Sequence, residues 1–152
     1  MIETYVEIDI DKIIENIKTI QSIDKDSMFC AVIKANAYGL GAVKIAREIE
    51  DYVDYFAVAR LDEAVSLRKS GINKPLMVLG YVNFEEVEKC VEYNIDLPIY
   101  DLEYAKKINS YLDKKVKVHI TLDTGHGRIG FRDCEVGSIC LLYTSPSPRD
   151  RG

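Results

Sequence analysis

Between residues 29 and 122, short apolar runs alternate with stretches whose apolar residues recur at helical spacing. The runs at 29–33, 55–59, 76–79, 96–99 and 116–122 read as strands. The stretches at 42–50, 62–70, 84–93 and 102–111 read as helices, and Gly71 is a natural C-terminal cap for the second of these. A strand returns every ~20–26 residues, which is the length a strand, a crossover helix and two loops require. That rhythm predicts a parallel sheet with its helices packed as crossovers. Ahead of it, Tyr5-Val-Glu-Ile-Asp-Ile10 alternates like a further strand, and Ile13, Ile14, Ile17 and Ile20 follow at helical spacing. Five βα units do not close a barrel, since a (β/α)8 barrel needs eight strands and typically ~250 residues. The predicted fold class is α/β, the N-terminal part of a TIM-type (β/α)8 barrel with about five of eight units. Residues 1–135 are read as that portion of a barrel domain. Residues 136–152 carry Pro146 and Pro148 where a fifth helix should continue, and read as a non-native or disordered tail.

Composition excludes several classes of function. A chain of 152 residues with a net charge of −5 suits one soluble unit and offers nothing to attract nucleic acid. No apolar run approaches the ~20 residues that span a bilayer. The acidic start Met1-Ile-Glu-Thr does not resemble an export leader, so a cytoplasmic location is expected. Cysteines at 30, 90, 134 and 140 then read as free thiols. With two histidines and no ligand spacing, no metal site is expected.

The chemistry concentrates at Lys34, which ends the first strand of the rhythm. Ala35-Asn-Ala-Tyr-Gly39-Leu-Gly41 follows it directly. A lysine at the carboxyl end of a buried strand is costly, because desolvation disfavours the ammonium form. The neutral amine can condense with a carbonyl. Gly39 and Gly41 let the backbone turn tightly, and the helix starting near Ala42 aims N–H groups at that turn, where an anion could sit. A carbonyl and an anion on one molecule describe pyridoxal 5'-phosphate (PLP).

Four blocks strengthen this reading. Ala31-Val-Ile-Lys-Ala-Asn-Ala-Tyr-Gly-Leu-Gly41 resembles the cofactor-lysine motif of the alanine racemase family. Val118-His-Ile-Thr-Leu-Asp-Thr-Gly-His-Gly-Arg-Ile-Gly-Phe131 resembles that family's block around its substrate-facing arginine. Phe56-Ala-Val-Ala-Arg-Leu-Asp-Glu-Ala64 and Pro75-Leu-Met-Val-Leu-Gly-Tyr81 fit the same family in the same order. The resemblance implies a PLP-dependent racemase that interconverts L- and D-alanine and supplies D-alanine for peptidoglycan. It implies that Lys34 binds the cofactor and moves the α-proton, and that Tyr38 donates to the phosphate. Val32 and Leu79 match pocket-lining positions, and could equally be ordinary barrel core. Arg128 matches the arginine facing the phenolic oxygen and the substrate carboxylate, the alternative being a pairing with Asp123 or Asp133.

The resemblance further implies a homodimer, in which a second base comes from a C-terminal domain of the partner subunit. This chain alone is therefore expected to be inactive and marginally folded. Thr121 stands where family members carry a carbamylated lysine, and threonine cannot carry a carbamate. His126 is read as a passive loop residue and His119 as a hydrogen-bonded core residue. Two other readings stay open: a PLP-dependent amino-acid decarboxylase of the related barrel class, and a non-catalytic PLP-binding barrel protein. Carbon dioxide release and the length of the parent gene would separate them.

Overall fold

The computed structural model describes residues 4–132 together with Glu135 and Gly137. Its strands are β1 (Cys30–Val32), β2 (Tyr55–Val58), β3 (Leu76–Val78), β4 (Leu97–Ile99) and β5 (Val118–Ile120). All pairings are parallel. β2 lies between β1 and β3, with Ala31 beside Phe56 and Phe56 beside Leu76. β4 pairs with β5, Pro98 beside His119. A single bridge, Met77 to Asp96, joins the two halves, so the strands follow one another in chain order. The helices are α1 (Ile10–Ile23), α2 (Lys34–Tyr38), α3 (Ala42–Ile49), α4 (Leu61–Lys69), α5 (Val87–Glu92) and α6 (Leu102–Tyr111).

Side chains alternate along a strand, so the register sorts them into two faces. Ala31, Ile33, Phe56, Val58, Leu76, Val78, Leu97 and Ile99 share the face under the helices, and all are buried. They form one core with Ile45, Ile49, Ala64, Leu67 and Ile108 from the helices. The opposite face carries Cys30, Val32, Tyr55, Met77 and His119, the side a closed barrel would turn inward. At β5 the helix-side residues Val118 and Leu122 stand exposed, because no described helix covers that strand.

Local signals fix the helix ends. Asp9 Oδ1 accepts from Lys12 N at the start of α1, and Asp101 Oδ1 accepts from Tyr104 N at the start of α6. Each such cap contributes about 1 kcal/mol. At the far end of α4, the Arg68 guanidinium donates to the carbonyls of Ile72, Lys74, Tyr93 and Asn94. One side chain thereby ties together the turns that lead into β3 and β4.

Two departures from the sequence reading have physical causes. The alternating segment 5–10 is not a strand: residues 4–9 are irregular and Ile10 opens α1. Tyr5 and Val6 are 81% and 75% exposed and pair with no strand among the described residues, and alternation without a partner makes no strand. Second, residues 84–93 divide into a tight turn, Phe84–Glu86, and the short α5. The proposed tail lies outside the described residues, apart from Gly137.

Candidate active site

The carboxyl ends of all five strands point the same way, and the residues singled out from the sequence stand there. Ile33 N donates to Ala57 O, so the β1 ladder runs up to Lys34, which is half-buried. The chain then turns in an uncommon way. Ala35, Asn36, Ala37 and Tyr38 all have left-handed φ, between 51° and 56°. For residues with a Cβ this costs about 1–2 kcal/mol each. Gly39 and Gly41, with φ of 90° and 97°, extend the turn without that penalty.

The turn is held by hydrogen bonds. Ala37 N donates to Ile33 O, Gly39 N to Ala35 O and Gly41 N to Asn36 O. Asn36 Oδ1 accepts from Ala42 N at 2.9 Å. That last bond revises an expectation, since the first N–H of α3 is taken by a side chain rather than left for an anion. Ala35 N donates to Glu63 Oε1 at 2.6 Å, reaching across to α4. The second oxygen of Glu63 accepts from Ala59 N and Arg60 N at 3.0 and 3.1 Å.

Tyr38 is 65% exposed and so is not packed between strand and helix. Its phenol stands at the mouth of the sheet. Val32 and Leu79 are 41% and 42% exposed, not core. Leu79 N donates to Val58 O, which continues the register and sets Leu79 on the same face as Val32 and Lys34. Two strand spacings, about 10 Å, separate it from the β1 row. The result is an open apolar shelf beside one amine.

Arg128 lies on the loop after β5, at the opposite edge of the sheet. Four strand spacings, about 19 Å measured along the sheet, separate that edge from β1. Phe131 N donates to Thr121 O and Asp123 N to Phe131 O, closing the loop at its base. Asp123 Oδ1 accepts from Gly125 N and Gly127 N, and these bonds hold its carboxyl below the usual carboxylate range. Asp123 is thus the loop's organiser. Arg128 is exposed and makes no ion pair among the described residues, and Asp133 lies outside them. Thr121 uses its backbone N–H to pair with Ile99 O. His126 is exposed on the same loop.

Gly130 is the tightest point of this loop. Its φ is 129°, and a Cβ there would lie 2.7 Å from Asp123 N and 2.9 Å from Thr121 O. The atoms it would meet are all backbone of residues 121–123, which cannot swing aside as a flexible side chain would. Gly130→Ala is expected to cost about 1–3 kcal/mol and to spring the base of the loop. Urea unfolding and amide exchange at Asp123 and Phe131 measure it; unchanged protection would contradict it.

The sequence reading missed a polar cluster lower on the inner face. Asp96, only 4% exposed, accepts from the Tyr55 hydroxyl and lies 2.9 Å from His119 Nε2. The rings of Tyr55 and His119 meet edge to face, with centroids 5.8 Å apart. Burial and the neighbouring Asp96 carboxylate both push the Tyr55 phenol well up. His119 is hydrogen-bonded as expected, but it is exposed on an open face and not in the core. An acid directly before an apolar strand, with a histidine on the next strand, was the available signal. Cys30 and Cys90 are free thiols, and burial pushes Cys90 up to about 12. That makes Cys90 a poor nucleophile. No helix among the described residues is long and apolar enough to cross a membrane.

Residues 8–146 match the family model described as "Alanine racemase, N-terminal domain". The chain belongs to the alanine racemase N-terminal domain family. An alanine racemase of Clostridium perfringens is 44% identical over 147 residues, covering 91% of this chain and 38% of the relative. Alanine racemase 2 of Caldanaerobacter subterraneus is 39% identical over 138 residues, covering 88% of this chain and 36% of the relative. Among solved structures, alanine racemase of Clostridium difficile superposes with a TM-score of 0.82 at 39% identity, covering 91% of this chain and 37% of that one. The Bacillus anthracis alanine racemase with bound L-Ala-P superposes at 0.83 and 34% identity, covering 94% and 39%. The chain therefore spans less than two-fifths of the length of these racemases. The α/β architecture with consecutive parallel strands is the family's N-terminal portion, as the βα rhythm predicted.

Proposed function

We propose that this chain forms the Lys34-bearing part of a PLP-dependent alanine racemase, acting as a homodimer on L- and D-alanine to supply D-alanine for peptidoglycan. One observation carries the reading: a half-buried amine at the end of β1, beside exposed apolar side chains and a strained, well-tied turn. Strain of this kind persists where the surroundings over-determine it, and it clusters at functional sites.

The residues present fit PLP by donor chemistry. The Lys34 amine suits an aldehyde carbon. The Tyr38 phenol is a neutral donor for a phosphate oxygen. Val32 and Leu79 offer apolar surface to a planar ring, and the exposed Arg128 guanidinium suits a phenolic oxygen and a substrate carboxylate. When bound, PLP supplies an electron sink that stabilises negative charge on the substrate's α-carbon. Lys34 Nζ would serve one face, taking the α-proton in one direction of the reaction and delivering it in the other, while the second base, from the C-terminal domain of the partner subunit, would serve the opposite face. Arg128 orients the substrate by its carboxylate. With Thr121 unable to carry a carbamate, the Asp123-centred loop is what positions Arg128. The free thiols Cys30 and Cys90 accord with a reducing, cytoplasmic setting.

The test is chemical trapping. The chain is incubated with PLP and reduced with borohydride, and its peptides are mapped by mass spectrometry. Label concentrated at Lys34 is the expected result. Label spread evenly over the exposed lysines would sink the proposal.

A further inference from the structure

Glu63 does more than a helix-start glutamate needs to do. Its Oε2 closes the local cap of α4, accepting from Ala59 N and Arg60 N. A cap uses only the backbone donors of its own first turn. Yet Oε1 reaches 28 residues back along the chain to Ala35 N, at 2.6 Å. Ala35 is the first of four consecutive left-handed residues and directly follows Lys34. A carboxylate is the one side-chain group that accepts at both oxygens and offers no donor. Three N–H groups, from the ends of β1 and β2, converge on it.

We infer that Glu63 is a positioning residue for Lys34, fixing the amine through the Ala35 amide. The inference rests on the proposed role of Lys34 and deepens it. Without the Oε1 bond, the Ala35 N–H loses its partner at the point where the backbone is least favourable. The turn then relaxes toward right-handed or extended φ, and the peptide carrying Lys34 swings with it. The helix cap survives, because it depends on the other oxygen. Glu63 thus separates two roles that a single substitution can tell apart.

Glu63→Gln keeps the shape and remains competent in a capping box. Its one acceptor oxygen stays with the Ala59 and Arg60 amides of the cap, and the NH2 that replaces Oε1 is a donor and cannot accept from Ala35 N. Glu63→Asp keeps the charge and shortens the reach. Each variant is made in this chain and labelled with PLP and borohydride as above. Both are expected to label Lys34 about 10²-fold more slowly, as a misplacement near 1 Å produces. Circular dichroism and the urea midpoint of Glu63→Gln are expected to stay close to the unsubstituted chain. In the full-length gene product, kcat falls and KM for alanine holds, a split that a merely structural cap does not give.

Unchanged labelling in Glu63→Gln overturns the positioning role and leaves Lys34 as the capture site. Absence of label at Lys34 in the unsubstituted chain overturns the reading beneath it. Loss of fold in both variants also overturns the inference, since Glu63 would then hold the sheet and not the amine.

Discussion

Lys34→Ala in the full-length gene product is expected to remove racemisation by ~10²–10⁴-fold or more, the contribution of a positioned proton-transfer group. On the proposed roles the loss should appear in kcat, since the amine would act on the α-proton while Arg128 would still hold the substrate carboxylate. PLP-borohydride labelling at residue 34 should vanish at the same time. The fold should not notice: Lys34 follows the last paired residue of β1, and the core beneath is built by Ala31 and Ile33. D-alanine formation from L-alanine, measured with a control for unfolding by circular dichroism, decides the matter. Turnover within a factor of two of the unsubstituted protein would refute the assignment.

Phe56→Ala should produce the largest loss of stability. Phe56 is fully buried on β2, the strand with neighbours on both sides, between Ala31 and Leu76. Removing a buried aromatic ring costs about 3–5 kcal/mol, from lost transfer energy and the cavity left behind. Small domains have only about 5–15 kcal/mol in total. An open sheet has less in reserve, because its edge strands leave backbone donors and acceptors unpaired. The substituted chain is expected to lose its cooperative urea transition. Phe56→Leu, which retains most of the volume, should cost under ~1.5 kcal/mol. Equal midpoints for the two would contradict this account of the core.

The architecture was legible because buried parallel strands are apolar along their whole length and helices are not. Phe56, Val58, Leu76, Val78, Leu97 and Ile99 announce both the strands and the face they bury. Segment 5–10 misled for the complementary reason. Its period of two is a strand pattern, but pairing depends on a neighbouring edge that no local pattern reports. At the site, Lys34, Tyr38 and Arg128 could be picked out by residue type and by resemblance. The left-handed run could not, because Ala35 and Ala37 are residues that normally avoid that region. Only the contacts that hold it, from Asn36 and Glu63, explain it. Glu63 itself was hidden because its second partner lies 28 residues away. The Asp96 and His119 pair left a fainter mark, an acid before one strand and a histidine on the next, which becomes a contact only once the two strands are set side by side.

The order of strands in the sheet matches their order along the polypeptide. For a chain leaving the ribosome, this means that every new strand meets an edge already in place. Among the described strands, each pairs with the one made just before it, and none must reopen to admit a later one. Sheet growth can keep step with synthesis, which proceeds N-terminus first at ~5–20 residues per second. The seam to watch is the single bridge from Met77 to Asp96. There one residue pair joins the Leu76–Val78 edge to the strand made after it, so a pause in translation at that point would leave the first three strands to stand on their own pairing.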